Sequence, residues 1–215
     1  MLDVRCITNG VATCSARHRS ADVSSIAYAA ASSSRPGAGT GYHRSVPGAS
    51  SPAPGQLRLV QSFANTRGAD PDMDPLRTRE EAAAWLRTAE LLPAEAGLTN
   101  SEHSALLRLR ESVSEVLAAH TEGREDAEAA ARLTKALMDG RLVLTVDPAS
   151  TVRLASAARA SYPNLVAAVA IAIAESAASG IWPRLKSCHA PNCGHAFYDD
   201  SASLAARHCS AHAPG

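Results

Sequence analysis

Aromatic residues are scarce in this sequence: Phe, Trp and Tyr together make up 4% of its 215 residues. Without them, a hydrophobic core must be built largely from Ala, Leu and Val. Such a composition suits closely packed helices better than a sandwich of strands, which favours β-branched and aromatic residues. The hydrophobic content of 46% is typical of a soluble globular protein. The composition therefore predicts a mainly helical fold.

An excess of charge of either sign is also absent, because Lys plus Arg and Asp plus Glu both total 21. No overall positive field attracts a polyanion, so any contact with nucleic acid requires a local basic patch. The first 55 residues hold five arginines and two aspartates. The remainder has 16 basic and 19 acidic residues and is slightly acidic. The charge balance by itself does not predict DNA binding.

Long apolar runs are missing. The longest, Leu165 to Ala174, is far shorter than the ~20 residues that a bilayer-spanning helix needs. Polar residues interrupt the N-terminus throughout, which argues against a secretory signal. We predict a cytoplasmic protein without membrane contact, whose five cysteines are reduced thiols or metal ligands rather than disulfides.

Motifs that carry catalysis are missing as well. The sequence has no Gly-rich phosphate loop, no G-x-S-x-G and no H-E-x-x-H. Cys188 and Cys193 are separated by four residues, whereas thiol oxidoreductases use a spacing of two. Ser, His and Asp residues are scattered, and no spacing brings them together. We predict that the protein is not an enzyme.

The N-terminal segment is poor in large apolar side chains. Residues 29–56 consist mostly of Ala, Ser, Gly and Pro, which cannot offset the entropy cost of ordering the chain. Cys6 and Cys14 lie in no recognisable motif and are predicted to be incidental thiols. We therefore predict that residues 1–56 are a disordered extension.

Helical signals dominate from residue 57 onward. Residues 57–60 are predicted to form either a short strand or a first helical turn. Two capping boxes, at Thr78 and Thr99, each place a Glu three residues later and predict two helix starts. A third helix is predicted over about 124–139, and a last, deeply buried one from Pro163 to about residue 179. Between them, β-prone pieces flank residues 147–150 and predict a hairpin. The fold class is mainly α with a small β-hairpin (α+β).

Three cysteines stand out in the tail: Cys188, Cys193 and Cys209, separated by four and by fifteen residues. A short Cys loop followed by a spacer and another Cys can bring thiolates onto one tetrahedral Zn²⁺. Gly194 permits the tight turn that such a loop needs. So short a tail is not expected to fold without a cross-link such as a bound metal ion. The alternative is three unrelated thiols, because three sulfurs do not close a structural zinc site.

The tail resembles the CGNR zinc finger and its C-x4-C-x15-C-S frame. Upstream, Phe63 to Arg67, the helices and the hairpin resemble the ABATE domain that normally precedes it. This resemblance implies an ABATE-like sensor domain over 57–180, a zinc module over 181–215, and a transcription regulator responding to a stress-related ligand. The matching tail residues are Arg184, Leu185, Lys186, Cys188, Cys193, Phe197, Tyr198, Asp199, Ser201, Arg207, Cys209 and Ser210.

One departure affects the metal site. The resemblance implies four cysteine ligands, with the fourth near position 214, where this chain has Pro214. The sequence ends at Gly215, before the Cys-Gly-Asn-Arg signature, so we interpret the finger as C-terminally truncated. His212 follows Cys209 at knuckle-like spacing and is the first candidate for the fourth ligand. The alternatives are His208, His195 or His189, a site completed by water, or a degenerate finger without metal.

Two further sets of residues are candidates for binding. The resemblance implies phosphate contacts by Arg184, Lys186 and Arg207, although Asp199 and Asp200 oppose them and make DNA binding weak at best. The polar cluster Asn65, Thr66 and Arg67 lies where the family would have a ligand pocket. Such a cluster is also typical of a turn or a helix entry.

Two functions therefore remain. The first is a transcription regulator in which a helical domain senses a small molecule and a zinc module contacts DNA. The second is a ligand-binding or protein-interaction protein whose degenerate finger no longer binds DNA. Binding to DNA fragments at low and moderate salt separates them.

Overall fold

A computed structural model describes residues 51–68, 71–158 and 162–213. The helices are α1 (Leu57–Ala64), α2 (Arg79–Thr88), α3 (Asn100–Glu122), α4 (Ala127–Leu137) and α5 (Tyr162–Ala178). The strands are β1 (Leu142–Val146), β2 (Val152–Ser156), β3 (Leu185–Ser187) and β4 (Ala196–Tyr198). They form two separate antiparallel hairpins, β1–β2 and β3–β4. The predicted mainly α fold with a small hairpin is confirmed.

The helix ends follow the sequence signals. Thr78 and Thr99 each accept a hydrogen bond from the backbone N–H of the Glu three residues on, and the carboxylate of that Glu accepts one from the threonine N–H. These reciprocal bonds satisfy amides that the first turn of a helix leaves free. Gly123 ends α3 in the left-handed conformation, with φ of 62°. Helix α4 starts at Ala127, later than predicted, because Asp126 caps it through the N–H of Ala129.

The core is built from α1, α3 and α5, which pack against one another directly or through neighbouring helices. Its largest fully buried side chains are Phe63, several leucines and a few valines. Residues 57–64 form a helix that buries Leu57, Val60 and Phe63, which settles the open choice between a strand and a helical turn. Helix α5 buries residues on most of its circumference, as its nearly continuous apolar sequence predicts.

The second hairpin, β3–β4, forms in the cysteine-rich tail. Strand β3 packs on α3, and β4 contacts α1. All described residues belong to one compact unit. The division into domains at residues 180 and 181 stays a prediction, and the predicted disorder over 1–56 lies almost wholly outside the described residues. No helix among those described is both long and apolar enough to cross a membrane.

Candidate metal centre

Three thiols and one imidazole converge at the loop end of the β3–β4 hairpin. Cys188 directly follows β3, and its N–H donates to His195 O at 2.8 Å. The chain then turns through Asn192 and Gly194, both with φ near +60°, and presents Cys193 beside it. Cys209 and His212 come from the end of the tail, where His212 N–H donates to Cys209 O at 2.8 Å. Two short knuckles thus face each other.

The distances within this cluster can be compared with a zinc site. Cys193 Sγ lies 3.9 Å from Cys209 Sγ. His212 Nδ1 lies 3.4 Å from Cys209 Sγ and 3.7 Å from Cys188 Sγ. On one tetrahedral Zn²⁺, two sulfurs lie about 3.8 Å apart, and a sulfur and a nitrogen about 3.6 Å apart. The four ligand atoms all lie within 4.8 Å of one another, so the donor set and its spacing fit zinc.

The pKa values of the cysteine thiols also favour a metal site. Burial raises the pKa of the Cys193 thiol to about 11, and the neighbouring Cys188 adds to this. Burial also opposes ionisation of Cys188, but N–H donors from Cys209 and Ala190 outweigh it and lower the pKa of that thiol. The Cys209 N–H lies 3.4 Å from Cys188 Sγ. The protein alone therefore favours ionisation of Cys188 and opposes that of Cys193, whereas a dication stabilises thiolates that lie side by side.

A buried ion pair supports the loop that carries the chain back to the cluster. Lys186 Nζ lies 2.7 Å from Asp199 Oδ2, and their side chains are 4% and 0% exposed. Lys186 also donates to the carbonyls of Leu204 and Ala206, while Asp199 accepts from Ser201 and Ala206. Burial alone would raise the pKa of Asp199, but its bonds to Lys186 and Ser201 hold it below its ordinary value. This network fixes residues 199–206, which lead into Cys209.

Helix side chains complete both edges of the small β3–β4 sheet. Asn65, just after α1, accepts from Ala196 N–H at 2.7 Å and donates to Ala196 O at 2.9 Å, as a neighbouring strand would. On the other edge, Thr121 Oγ1 accepts from Ser187 N–H at 3.0 Å and lies 2.7 Å from Ser187 O. The outward backbone groups of Ala196 and Ser187 are thereby satisfied within the fold.

The three residues predicted to contact a small molecule, Asn65, Thr66 and Arg67, all bind other residues of the protein. Asn65 binds β4 as above. Thr66 is buried, donates to Phe63 O at 2.7 Å and accepts from Arg110 at 3.2 Å. Arg67 pairs with Glu111 at 2.7 Å on the surface. This arrangement corresponds to the turn and helix-end interpretation; contact with a small molecule stays a prediction and would have to compete with these bonds.

The predicted phosphate-contacting residues lie in three different environments. Lys186 is 3% exposed and held by Asp199, which argues against the predicted phosphate contact because binding DNA would require breaking a buried ion pair. Arg184 is half-buried and donates to the carbonyls of Asp199 and Ser201. Arg207 is exposed. Of the three, Arg207 is best placed to reach a phosphate.

The remaining histidines lie outside the cluster. It contains His212 and none of His189, His195 or His208. The rings of His189 and His208 are 6.3 Å apart, and His195 Nε2 lies 3.5 Å from Asn65 Nδ2. The geometry thus favours the first candidate for the fourth ligand over its alternatives.

Sequence reasoning missed the roles of Asn65, Thr121 and the Lys186–Asp199 pair. Asn65 and its partner Ala196 are 131 residues apart, so no local pattern connects them. Lysine is almost never fully buried unless it is paired. No local signal indicated its burial, because all three residues of β3 are buried and a two-residue alternation would place Lys186 on the face opposite Leu185 and Ser187.

Removing the Asn65 bridge tests the junction between α1 and β4. We expect Asn65→Ala to lower the free energy of unfolding by about 1–3 kcal/mol, because it leaves polar groups of the buried Ala196 without these partners. Urea unfolding followed by circular dichroism measures the effect. The control is Ser62→Ala on the exposed face of α1, for which we expect no more than about 0.5 kcal/mol. Equal stability of the two variants would contradict this role.

Comparison with protein families gives two matches. Residues 57–180 match the ABATE family model, described as "Putative stress-induced transcription regulator". Residues 184–213 match the CGNR zinc finger model. A search of curated proteins found no significant match. The second match covers the β3–β4 hairpin and all four side chains of the cluster, and family and geometry together make this a zinc-binding chain.

Proposed function

The chain belongs to the ABATE family, with a CGNR zinc finger after the ABATE segment, and from this premise we propose that it is a transcription regulator whose zinc-stabilised tail contacts DNA. That the chain is a regulator-like zinc-binding protein follows from the family matches. The observation that supports DNA contact by the tail is the Cys3His cluster, which gives the tail a defined shape on the surface of the helices. Neither family description names an enzymatic activity; the absence of one and a cytoplasmic location stay predictions.

We assign the zinc ligands to Cys188, Cys193, Cys209 and His212. Bound zinc supplies a cross-link between two knuckles, and four protein ligands leave no open position for a substrate, which is the arrangement of structural sites. The protein's own residues do the rest. The Cys209 N–H donates to Cys188 Sγ, the Lys186–Asp199 pair holds the returning loop, and Asn65 fixes β4 to the helices.

Coupling between the helical segment and the zinc module has a physical route in this fold. Asn65 lies at the end of α1, and Thr121 lies in α3, and both bind the β3–β4 sheet directly. Thr66, next to Asn65, joins a buried network with Arg110 and Asp74, in which Arg110 lies 2.8 Å from the Asp74 carboxylate. A ligand that moved this network would act on the sheet through adjacent residues.

DNA binding is tested by its salt dependence. We expect weak binding to DNA fragments that falls as salt rises, with a shallow slope of about −2 in log K against log salt if Arg184 and Arg207 contact phosphates. Arg207→Ala should reduce this slope by about one unit. The matched control is Arg132→Ala on α4, whose guanidinium already pairs with Glu115 at 2.7 Å. Removal of zinc with a chelator should abolish binding.

The second candidate is a ligand-binding or protein-interaction protein that does not contact DNA. One observation favours it: of three residues expected to reach phosphates, one is buried in an ion pair and another is engaged with two carbonyl groups. If the zinc-loaded protein shows no retention of DNA at low or at moderate salt, the first candidate fails and this one remains.

A further inference from the structure

The β1–β2 hairpin has an apolar face that is largely exposed among the described residues. Residues 142, 144 and 146 pair with 156, 154 and 152 and share one face of the hairpin, because side chains alternate along a strand. Leu144 is 65% exposed, Val146 61% and Val152 57%, while Leu142 and Leu154 are more than one-third exposed. An isolated two-stranded hairpin is marginally stable, and exposed apolar strands tend to pair with another chain.

One edge of this hairpin is open for pairing. Strand β2 packs against α5, whereas β1 has no strand partner besides β2 in the described parts of the chain. Hydrogen bonds at the two ends of the hairpin join Ala157 N–H to Arg141 O and Asp147 N–H to Thr151 O. Because bonded and non-bonded pairs alternate in an antiparallel ladder, residues 141, 143, 145 and 147 face β2. The backbone groups of 142, 144 and 146 therefore point outward.

We propose that two copies of this chain associate by antiparallel pairing of their β1 strands about a two-fold axis at Leu144, which makes one four-stranded sheet. In this register Leu144 lies opposite Leu144 of the partner, and Leu142 opposite Val146 of the partner. Every outward-facing residue then meets an outward-facing residue, and all six outer N–H and C=O groups of each strand are paired. The apolar faces of the two hairpins become continuous.

Charge complementarity selects the same register. Arg141 and Asp147 flank β1 at equal distances from Leu144, so the pairing places each Arg141 opposite Asp147 of the partner. Hydrogen bonding from the N–H groups of Thr151 and Ala149 lowers the pKa of Asp147, so this exposed group is a carboxylate. A slip of two residues in either direction would leave an outward residue beyond the end of the partner strand and would separate the two charges. The strand is thus complementary to its own copy.

Sedimentation equilibrium of the full chain at about 1–200 μM tests the proposal, since so small an interface suggests a dissociation constant of about 10 μM. Leu144→Lys places two like charges at the two-fold axis and should weaken dimerisation about 100-fold. The control is Met73→Lys, which replaces another exposed apolar side chain, 75% accessible, away from the hairpin. Its dimerisation should equal that of the parent, and both variants, compared with the parent at a concentration well below the dissociation constant, should keep its circular dichroism and melting temperature.

A second pair of variants tests the register without altering an apolar residue. Arg141→Glu should weaken dimerisation about tenfold, because it places two carboxylates opposite each other, whereas Arg153→Glu on β2 should have little effect. A parent chain that stays monomeric over the whole range, with its hairpin in solvent or covered by residues 1–50, would overturn the proposal. Unchanged dimerisation of Leu144→Lys, or equal losses in Arg141→Glu and Arg153→Glu, would also overturn it.

Discussion

Replacing Cys209 with serine is expected to weaken zinc binding more than about 100-fold and to release the tail from the helical core. Cys209 Sγ lies beside both Cys193 Sγ and His212 Nδ1, so its loss removes the thiolate that joins the two knuckles. Zinc binding and folding are linked in small modules because a preformed site is absent from the unfolded chain. Zinc competition with a chromophoric chelator measures the first effect, and limited proteolysis of residues 181–213 the second.

A matched control distinguishes the loss of zinc binding in Cys209→Ser from an effect of removing any one thiol. Cys14→Ser also removes one thiol, from a segment that the sequence predicts to be without a role in the metal site. We expect it to bind zinc as the parent chain does. If Cys209→Ser and Cys14→Ser hold zinc equally well, Cys209 is not a ligand.

The second large effect is expected at the buried ion pair. Asp199→Asn should lower the free energy of unfolding by about 3–5 kcal/mol, because it leaves the Lys186 ammonium, 4% exposed, without its counterion. Such a loss is a large part of the 5–15 kcal/mol of a typical domain. Denaturant unfolding of the zinc-loaded protein measures it. Asp200→Asn, at the exposed neighbouring residue, should change stability by no more than about 0.5 kcal/mol.

A double-mutant cycle distinguishes the ion pair from a loss of shape. Lys186→Met combined with Asp199→Asn removes both charges; the Asn oxygen still accepts from Ser201, whereas the bond from Ala206 N–H is lost in the single and the double Asp199→Asn variants alike. The double variant should therefore be less destabilised than the sum of the two single variants, with a coupling of about 2 kcal/mol or more. Strict additivity would show that the pair contributes no mutual stabilisation in the fold.

The sequence predicted the structural features that depend on residues close together in the chain. The capping boxes at Thr78 and Thr99 and the left-handed end of α3 at Gly123 depend on residues within a few positions of each other, and all three are found. The β-prone pieces that flank residues 147–150 likewise predicted the β1–β2 hairpin. The spacing of the three cysteines allowed a common site, the resemblance to the CGNR zinc finger favoured it, and the structure brings their sulfurs together.

Contacts between residues far apart in the sequence were not predictable in the same way. Nothing near Asn65 indicates that it binds Ala196, and a polar residue after an apolar helix is as consistent with a ligand loop as with a junction. Lys186 was interpreted as a phosphate contact because the resemblance to the CGNR zinc finger implied such contacts for the basic residues around the cysteines. Its burial depends on Asp199, thirteen residues away, returning across the hairpin. The choice among four histidines likewise required coordinates.

The central claim is that three thiolates and one imidazole hold a single zinc ion, and X-ray absorption at the zinc edge of protein purified without chelators tests it most directly. The account predicts one zinc per chain, with three sulfur neighbours at about 2.3 Å and one nitrogen at about 2.0–2.1 Å. In His212→Ala the nitrogen signal should be lost while the three sulfurs remain. Protein without zinc, or a first shell dominated by oxygen, would contradict the account.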